Sequence, residues 1–432
     1  MDEKDLRNEI FQLSDKIFKE KNKVNENFVP YISKIPVTGK VLDKYDLRNL
    51  IDASLDLWLT GGRFAEMFEK SLRIKTGHRH CLFVNSGSSA NLLAISALKV
   101  FYELSDGDEI ITSAVNFPTT LNPIIQNNMI PVLVDADLET YNIDVNKIEG
   151  LITKKTKGIV LAHTLGNPFD LEKVMEICEK HNLFLMEDMC DAFGSTFDNK
   201  NVGTFGDVAT LSFYPAHHIT TGEGGAVLTN KPKLKKIMES IRDWGRDCYC
   251  QPGVDNTCKK RFDWQLGDLP LGYDHKYIYS HIGYNLKATE MQAAIGLSQL
   301  EKLESFIIKR KQNFSYLYEK FGNLNEFQLP SWHKLSDPSW FGFPLTIKSE
   351  EVDRTKLLKF YEERNIGTRL MFAGNIKKQP AYINEEIKVP EKTPIADIVL
   401  EKTFWLGVYP GLTTEMLDFV YEQTKEFLKA NK

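Results

Sequence analysis

Between about residues 80 and 190, short apolar runs alternate with helical patterns, and no other feature restricts the possible folds as strongly. Segments 81–85, 109–114, 130–134, 158–162 and 183–186 read as strands, and 91–104, 145–152 and 171–181 as helices between them. That alternation predicts an α/β protein built on a largely parallel sheet covered on both faces. Residues 288–321 keep apolar side chains near helical spacing without a proline, which predicts one or two long helices leaving the sheet. The chain is expected to divide into a helical segment (1–55), a large domain (56–300) and a smaller α+β domain (301–432), with the first fifty residues packing across the last. No repeat or low-complexity tract argues for a solenoid or a long linker.

At 432 residues the chain exceeds the usual size of a single core, which supports two domains. Its 54 Lys+Arg stand against 59 Asp+Glu with no long basic run, so an electrostatic grip on nucleic acid is not expected; a small anionic ligand suits it better. The first residues are charged, without the apolar core of a signal, and no apolar run approaches bilayer length, so a cytoplasmic protein without a membrane partner is expected. In such a reducing compartment the six cysteines favour metal binding or burial over disulfides.

Two short motifs carry chemistry. Ser86-Gly87-Ser88-Ser89-Ala90-Asn91 follows a strand and opens a helix, where free backbone N–H groups and the helix dipole favour a phosphate; taken alone, the same residues serve equally as a turn and N-cap. Glu187 and Asp188 close the fifth strand. Ligands of such sheets gather at the strands' C-terminal ends, and a carboxylate there can keep a pyridine nitrogen protonated.

Together with these, Trp58-Leu59-Thr60-Gly61, His163-Thr164-Leu165-Gly166, Ser212-Phe213, Gly222-Glu223-Gly224-Gly225-Ala226, Gly283-Tyr284-Asn285 and Met291-Gln292-Ala293-Ala294 resemble, in order, the DegT/DnrJ/EryC1/StrS family of sugar aminotransferases. The resemblance implies an aspartate-aminotransferase-like fold (PLP fold type I), a cofactor-binding large domain, and a homodimer with shared active sites. It would set Asp188 on the pyridine nitrogen and Phe117 against the ring face. Gly87, Ser88 and Ser212 would hold the phosphate, and Asn285 would reach in from the neighbouring subunit. Residues 209–226, where transaminating members carry the lysine that binds the cofactor covalently, contain none here. His217 falls at that position. An imidazole moves protons near neutral pH, so His217 is the expected base, while His218 is expected to point the other way. Asp191 and Tyr214 are expected to line the same site.

Cys190, Cys248, Cys250 and Cys258 follow the spacing C-x57-C-x-C-x7-C. From chemistry alone, four thiolates suit zinc or an iron–sulfur cluster. Histidine in place of lysine together with this spacing narrows the resemblance to the 3-deoxygenating branch of the family. That branch implies pyridoxamine 5′-phosphate (PMP), a [2Fe–2S] cluster on these four cysteines, a CDP-4-keto-6-deoxyhexose substrate of dideoxysugar biosynthesis, and an NADH-dependent flavin/iron–sulfur reductase as partner. Rim contacts to the sugar nucleotide are expected within 367–369, 372–375 and 405–409.

Overall fold

The computed structural model describes residues 2–22, 27–250, 253–389 and 391–431. Nine strands cover the first half of the chain: β1 (His80–Val84), β2 (Glu109–Ser113), β3 (Ile130–Val134), β4 (Thr156–Ala162), β5 (Phe184–Asp188), the short pair β6 (Thr196–Phe197) and β7 (Lys200–Asn201), β8 (Val208–Ser212) and β9 (Gly225–Thr229). Seven of them form one sheet in the order β1-β9-β8-β5-β4-β2-β3. Only β9 runs against its neighbours; the ladders from β8 through β5, β4 and β2 to β3 are parallel. Every residue of β2, β3, β5, β8 and β9 is buried, as a sheet covered on both faces requires.

The first nine helices are α1 (Glu3–Lys21), α2 (Lys44–Leu55), α3 (Arg63–Thr76), α4 (Gly87–Phe101), α5 (Pro118–Gln126), α6 (Val145–Ile148), α7 (Leu171–His181), α8 (Pro232–Arg242) and α9 (Glu290–Phe321). Phe68 and Leu72 of α3, Val174 of α7 and Leu303 of α9 belong to the core on one sheet face; Leu93 of α4 and Met238 of α8 belong to the core on the other. Helix α7 spans the residues its pattern predicted. Helix α4 begins four residues before the expected start because Ser86 caps it, its hydroxyl accepting from Ser89 N at 3.0 Å. Strand β5 ends in Glu187 and Asp188, two acidic residues beyond its apolar run. Burial is tolerated at Glu187 because its carboxylate accepts from the backbone N–H groups of Gly203 (2.7 Å), Phe205 (2.9 Å) and Gly206 (2.7 Å).

Helix α9 is a single 32-residue helix, and the division expected at residue 300 falls inside it. Its N-terminal half lies in the large sheet's core, whereas Phe314, Leu317 and Phe321 enter a second core. That core is built on a four-stranded antiparallel sheet of β10 (Phe327–Gln328), β12 (Gly342–Ile347), β14 (Thr403–Gly407) and β13 (Thr368–Arg369), in that order. Strand β11 (Ser336–Asp337) pairs instead with β6, and α10 (Arg354–Glu362), α11 (Pro394–Lys402) and α12 (Thr414–Ala430) complete the chain. The N-terminal segment does not simply cross the small sheet. Helix α2 packs on α9, with Gln299 and Lys302 on the Asp46 carboxylate, and the stretch before α2 reaches the small domain, where Ile35 exchanges backbone bonds with Asn365 and Gly367. No helix among the described residues is long and apolar enough to cross a membrane.

Candidate active site

A cleft of about 640 Å3 opens between the two sheets, above the C-terminal ends of β4, β5 and β8 and the N-termini of α4 and α5. Gly87, Ser88, Phe117, Asp188, Cys190, Asp191, Ser212, Tyr214 and His217 all line it. Asp188 is placed by the sheet and fixed by three donors: Asn91 Nδ2 (2.8 Å) and Thr120 Oγ1 (2.7 Å) on Oδ2, and its neighbour Cys190 N (3.1 Å) on Oδ1. Asn91 is itself oriented by the Thr210 hydroxyl at 2.6 Å. These three bonds fix the carboxylate at the cleft floor.

The opposite corner suits an anion from outside. Gly87 begins α4 against Ser212 at the end of β8, so closely that a Cβ on Gly87 would lie 2.4 Å from Ser212 Cβ. Any side chain there would fill the corner, whereas glycine leaves the helix N-terminus, with its unpaired N–H groups, open beside two serine hydroxyls. Phe117 precedes α5, half-exposed, with its ring 6.1 Å from that of Phe372 across the cleft. A flat ring seated between this phosphate corner and Asp188 matches the donor set present.

His217 hangs on a turn after β8, its N–H bonded to the Tyr214 carbonyl at 2.9 Å. Its Nδ1 lies 3.4 Å from Asp191 Oδ1, near enough for the carboxylate to orient the ring and long for a hydrogen bond. Burial pushes the Asp191 carboxyl above the ordinary range, and His217 pulls against that shift. The His217 ring leans on Phe341 at 5.2 Å. His218 does turn away, though through turns rather than along an extended segment. It is fully buried, with Nε2 2.9 Å from the Ser339 carbonyl, and burial holds its pKa well below the usual value. Tyr214 is half-exposed at the rim.

The four predicted metal ligands do not come together. Cys190 sits in the cleft, where burial and then the Asp188 charge push its thiol well above the usual range. Cys248, Cys250 and Cys258 line a separate void of about 10 Å3 beside His275. Burial pushes Cys250 up, but hydrogen bonds with Thr257, whose hydroxyl is 2.9 Å away, with Cys248 and with the Cys258 backbone outweigh it and leave the thiol below its ordinary value. Among the described residues no group of three or more His, Cys, Asp or Glu side chains has the geometry to hold a metal ion. The thiols of one chain therefore do not fit a four-thiolate cluster. Asn285 is exposed, outside its own chain's cleft, in a backbone bridge with Asp243.

Sequence reading missed Asn91 and Thr120 as holders of Asp188, and Thr38 and Glu223 on the cleft wall. Asn91 was the most accessible of these, since it closes the small-residue motif one helical turn after Gly87. Of the expected rim segments, Arg369, Phe372 and Trp405 do face the cleft.

A mostly parallel seven-stranded sheet, joined by a long helix to a small antiparallel domain and carrying a fixed carboxylate and an open phosphate corner, defines the PLP-dependent enzymes of fold type I. The chain belongs to the DegT/DnrJ/EryC1/StrS aminotransferase family, whose sequence profile matches residues 41–425. It is 55% identical over 410 residues to the lipopolysaccharide biosynthesis protein RfbH of Salmonella typhimurium, covering 94% of each chain. It is 51% identical over 406 residues to a dTDP-4-dehydro-2,6-dideoxy-D-glucose 3-dehydratase of Saccharopolyspora spinosa, covering 93% of this chain and 88% of that one. Among solved structures, the E. coli GDP-4-keto-6-deoxy-D-mannose-3-dehydratase with bound hydrated PLP superposes with a TM-score of 0.81 at 28% identity, covering 90% of this chain and 98% of the other.

Proposed function

We propose that this protein is a PMP-dependent dehydratase that removes the C3 hydroxyl of a nucleotide-linked 4-keto-6-deoxyhexose. The observation that carries the reading is the composition of the cleft: His217 lines it and, among the described residues, no lysine does. The 3-dehydratase names of the relatives support the same chemistry. When bound, PMP supplies an amine that condenses with a keto group and a ring that accepts the electrons of a broken C–H bond. Asp188 holds the pyridine nitrogen protonated, Phe117 covers the ring, and Gly87, Ser88 and Ser212 take the phosphate. His217 removes the proton from the C4′ carbon, Asp191 orients its imidazole, and Tyr214 lines the entrance used by the sugar. In a homodimer, Asn285 serves the neighbouring subunit's cleft, consistent with its exposure outside its own.

The finer reading assigns a [2Fe–2S] cluster to Cys190, Cys248, Cys250 and Cys258, a CDP nucleotide to the substrate, and an NADH-dependent flavin/iron–sulfur reductase as partner. It rests on the cysteine spacing and the family resemblance. The thiols of one chain do not meet: Cys190 lies in the cleft, and the other three line a separate void. The same separation favours a second reading, a cluster-free dehydratase that reloads its amine from glutamate.

The test of the dehydratase is solvent-deuterium exchange at C4′ of the PMP-loaded protein incubated with a nucleotide-linked 4-keto-6-deoxyhexose, followed by mass spectrometry. Exchange is expected, and borohydride treatment of PLP-loaded protein should leave no lysine of the chain carrying a stoichiometric pyridoxyl group. A stoichiometric pyridoxyl adduct on any lysine would overturn the reading. Iron and sulfide analysis of anaerobically purified protein separates the two finer versions: about two of each per chain supports the cluster, and glutamate-dependent turnover without iron supports its rival.

A further inference from the structure

Arg310 is the largest fully buried side chain among the described residues, and its guanidinium has no ion-pair partner among them. Its side chain is 0% exposed on α9, beneath the turn that carries His217. Nη1 donates to the carbonyls of Trp340 and Phe341, and Nη2 to the carbonyl of His217, all at 3.3 Å; Nε has no partner. The group also lies 5.7 Å from the ring of Phe341, the ring on which His217 leans. Burial lowers its pKa to about 10, with the Asp191 charge opposing the shift, so it is a cation at neutral pH.

Packing alone does not call for such a residue. Removing a charge from water is costly, and apolar side chains of similar volume commonly replace buried ions with no loss of stability. What a guanidinium adds is a rigid fork that grips several oxygens at once. Here the fork ties the turn at His217 to the segment entering β12. The same helix braces that turn a second time, three helical turns earlier, where Gln299 Oε1 accepts from Thr220 N at 3.4 Å.

We propose that Arg310 is a positioning residue for His217: by holding the His217 carbonyl and Phe341 in one frame, it fixes the imidazole at the depth and angle needed to reach the C4′ carbon. The inference rests on the reading of His217 as the base. A misplacement of about 1 Å at a reacting group can cost on the order of 10²-fold in rate, which sets the expected effect.

Arg310→Gln and Arg310→Lys, loaded with PMP, should bind the cofactor within about threefold of the parent. C4′ exchange should fall by about 10- to 100-fold in Arg310→Gln, with part of the loss recovered in Arg310→Lys. A residue that acts only through His217 has nothing left to position once the base is gone, so Arg310→Gln should cause no further loss in a His217→Asn background. Exchange within about twofold of the parent in Arg310→Gln, or an equal loss in both backgrounds, overturns the proposal. If Arg310→Gln does not hold PMP, Arg310→Lys decides, and an undiminished rate there overturns it. A parent protein without exchange sinks the functional reading and this inference together, whereas an exchanging parent with an indifferent Arg310→Gln sinks this inference alone.

Discussion

Asp188 ends a buried strand and has three donors on its carboxylate, whereas Cys248, Cys250 and Cys258 hang on a stretch of residues 243–289 that has no strand or α-helix among its described residues. The first group is placed by the sheet: the register of β4 with β5 pairs Ala162 with Asp188, so forming the ladder sets the carboxylate at the cleft floor. The second group has no such frame. Its neighbours Tyr249, Phe262, Tyr277 and Ile282 expose large apolar side chains, Ile282 at 98%. The contrast separates a side chain that the sheet places from side chains that no strand or α-helix places.

The sharpest way to break this comparison is to remove the base from the framed side. His217→Asn should reduce C4′ exchange by about 10²–10⁴-fold, the usual contribution of a positioned acid–base group. PMP affinity, which the proposed roles assign to Asp188, Gly87 and Ser212, should change by less than about threefold. Retained exchange would mean that the base comes from elsewhere, and the exposed thiol-bearing stretch of a second copy would be the next place to look.

A smaller effect distinguishes the two cysteine environments. Cys190→Ser exchanges a buried thiol beside Asp188 for a hydroxyl that must find its own hydrogen bonds, and PMP affinity should weaken by about 2- to 10-fold, the scale of one such bond. Cys248→Ser lies outside the cleft and should leave both affinity and exchange within about twofold in titrations of iron-free protein. The reverse outcome, with Cys248→Ser damaging cofactor binding, would put the 243–289 stretch inside a cleft of another subunit.

The same division explains what was legible in the sequence. Strand ends and helix openings could be read because period and capping are local, and Gly87 and Asp188 follow from them, whereas Ser212 came from the family resemblance. His217 was legible as a departure from the family's lysine. Thr120 was not, since its bond to Asp188 joins residues 68 positions apart and exists only once β5 and α5 are assembled. Arg310 was hidden by its neighbours: Lys309-Arg310-Lys311 reads as a solvated helix face, and only the folded chain shows that Lys311 reaches Asp337 on the surface while Arg310 points inward. Cysteine spacing suggested that four thiols belong together, but spacing carries no geometry, and three sit apart from the fourth.

The smallest expected effect compares two histidines, one from each region. His218 is fully buried under the cleft and its pKa is held well below the ordinary value by burial; His281, on the thiol-bearing stretch, is lowered by burial as well but is only partly shielded. An unfolded chain protonates histidine near pH 6.5. Below that pH the unfolded state takes up a proton that folded His218 refuses, so the neutral residue's contribution to stability is complete above about pH 6.5 and is lost as pH falls toward the folded value. The slope approaches about 1.4 kcal/mol per pH unit for one proton. His218→Gln, which keeps an N–H donor for the Ser339 carbonyl, removes that proton linkage. Urea unfolding of parent and variant at pH 7.5, 6.5 and 5.5 should show a stability difference that shifts little between the upper two values and more strongly in the variant's favour at the lowest. Carboxylate titrations are common to both proteins and cancel in the difference. His281→Gln should change the slope much less, because a partly exposed ring accepts its proton in the folded state over much of the same range. Equal slopes for the two variants would show that the cleft floor is no more shielded from water than the stretch that carries the thiols.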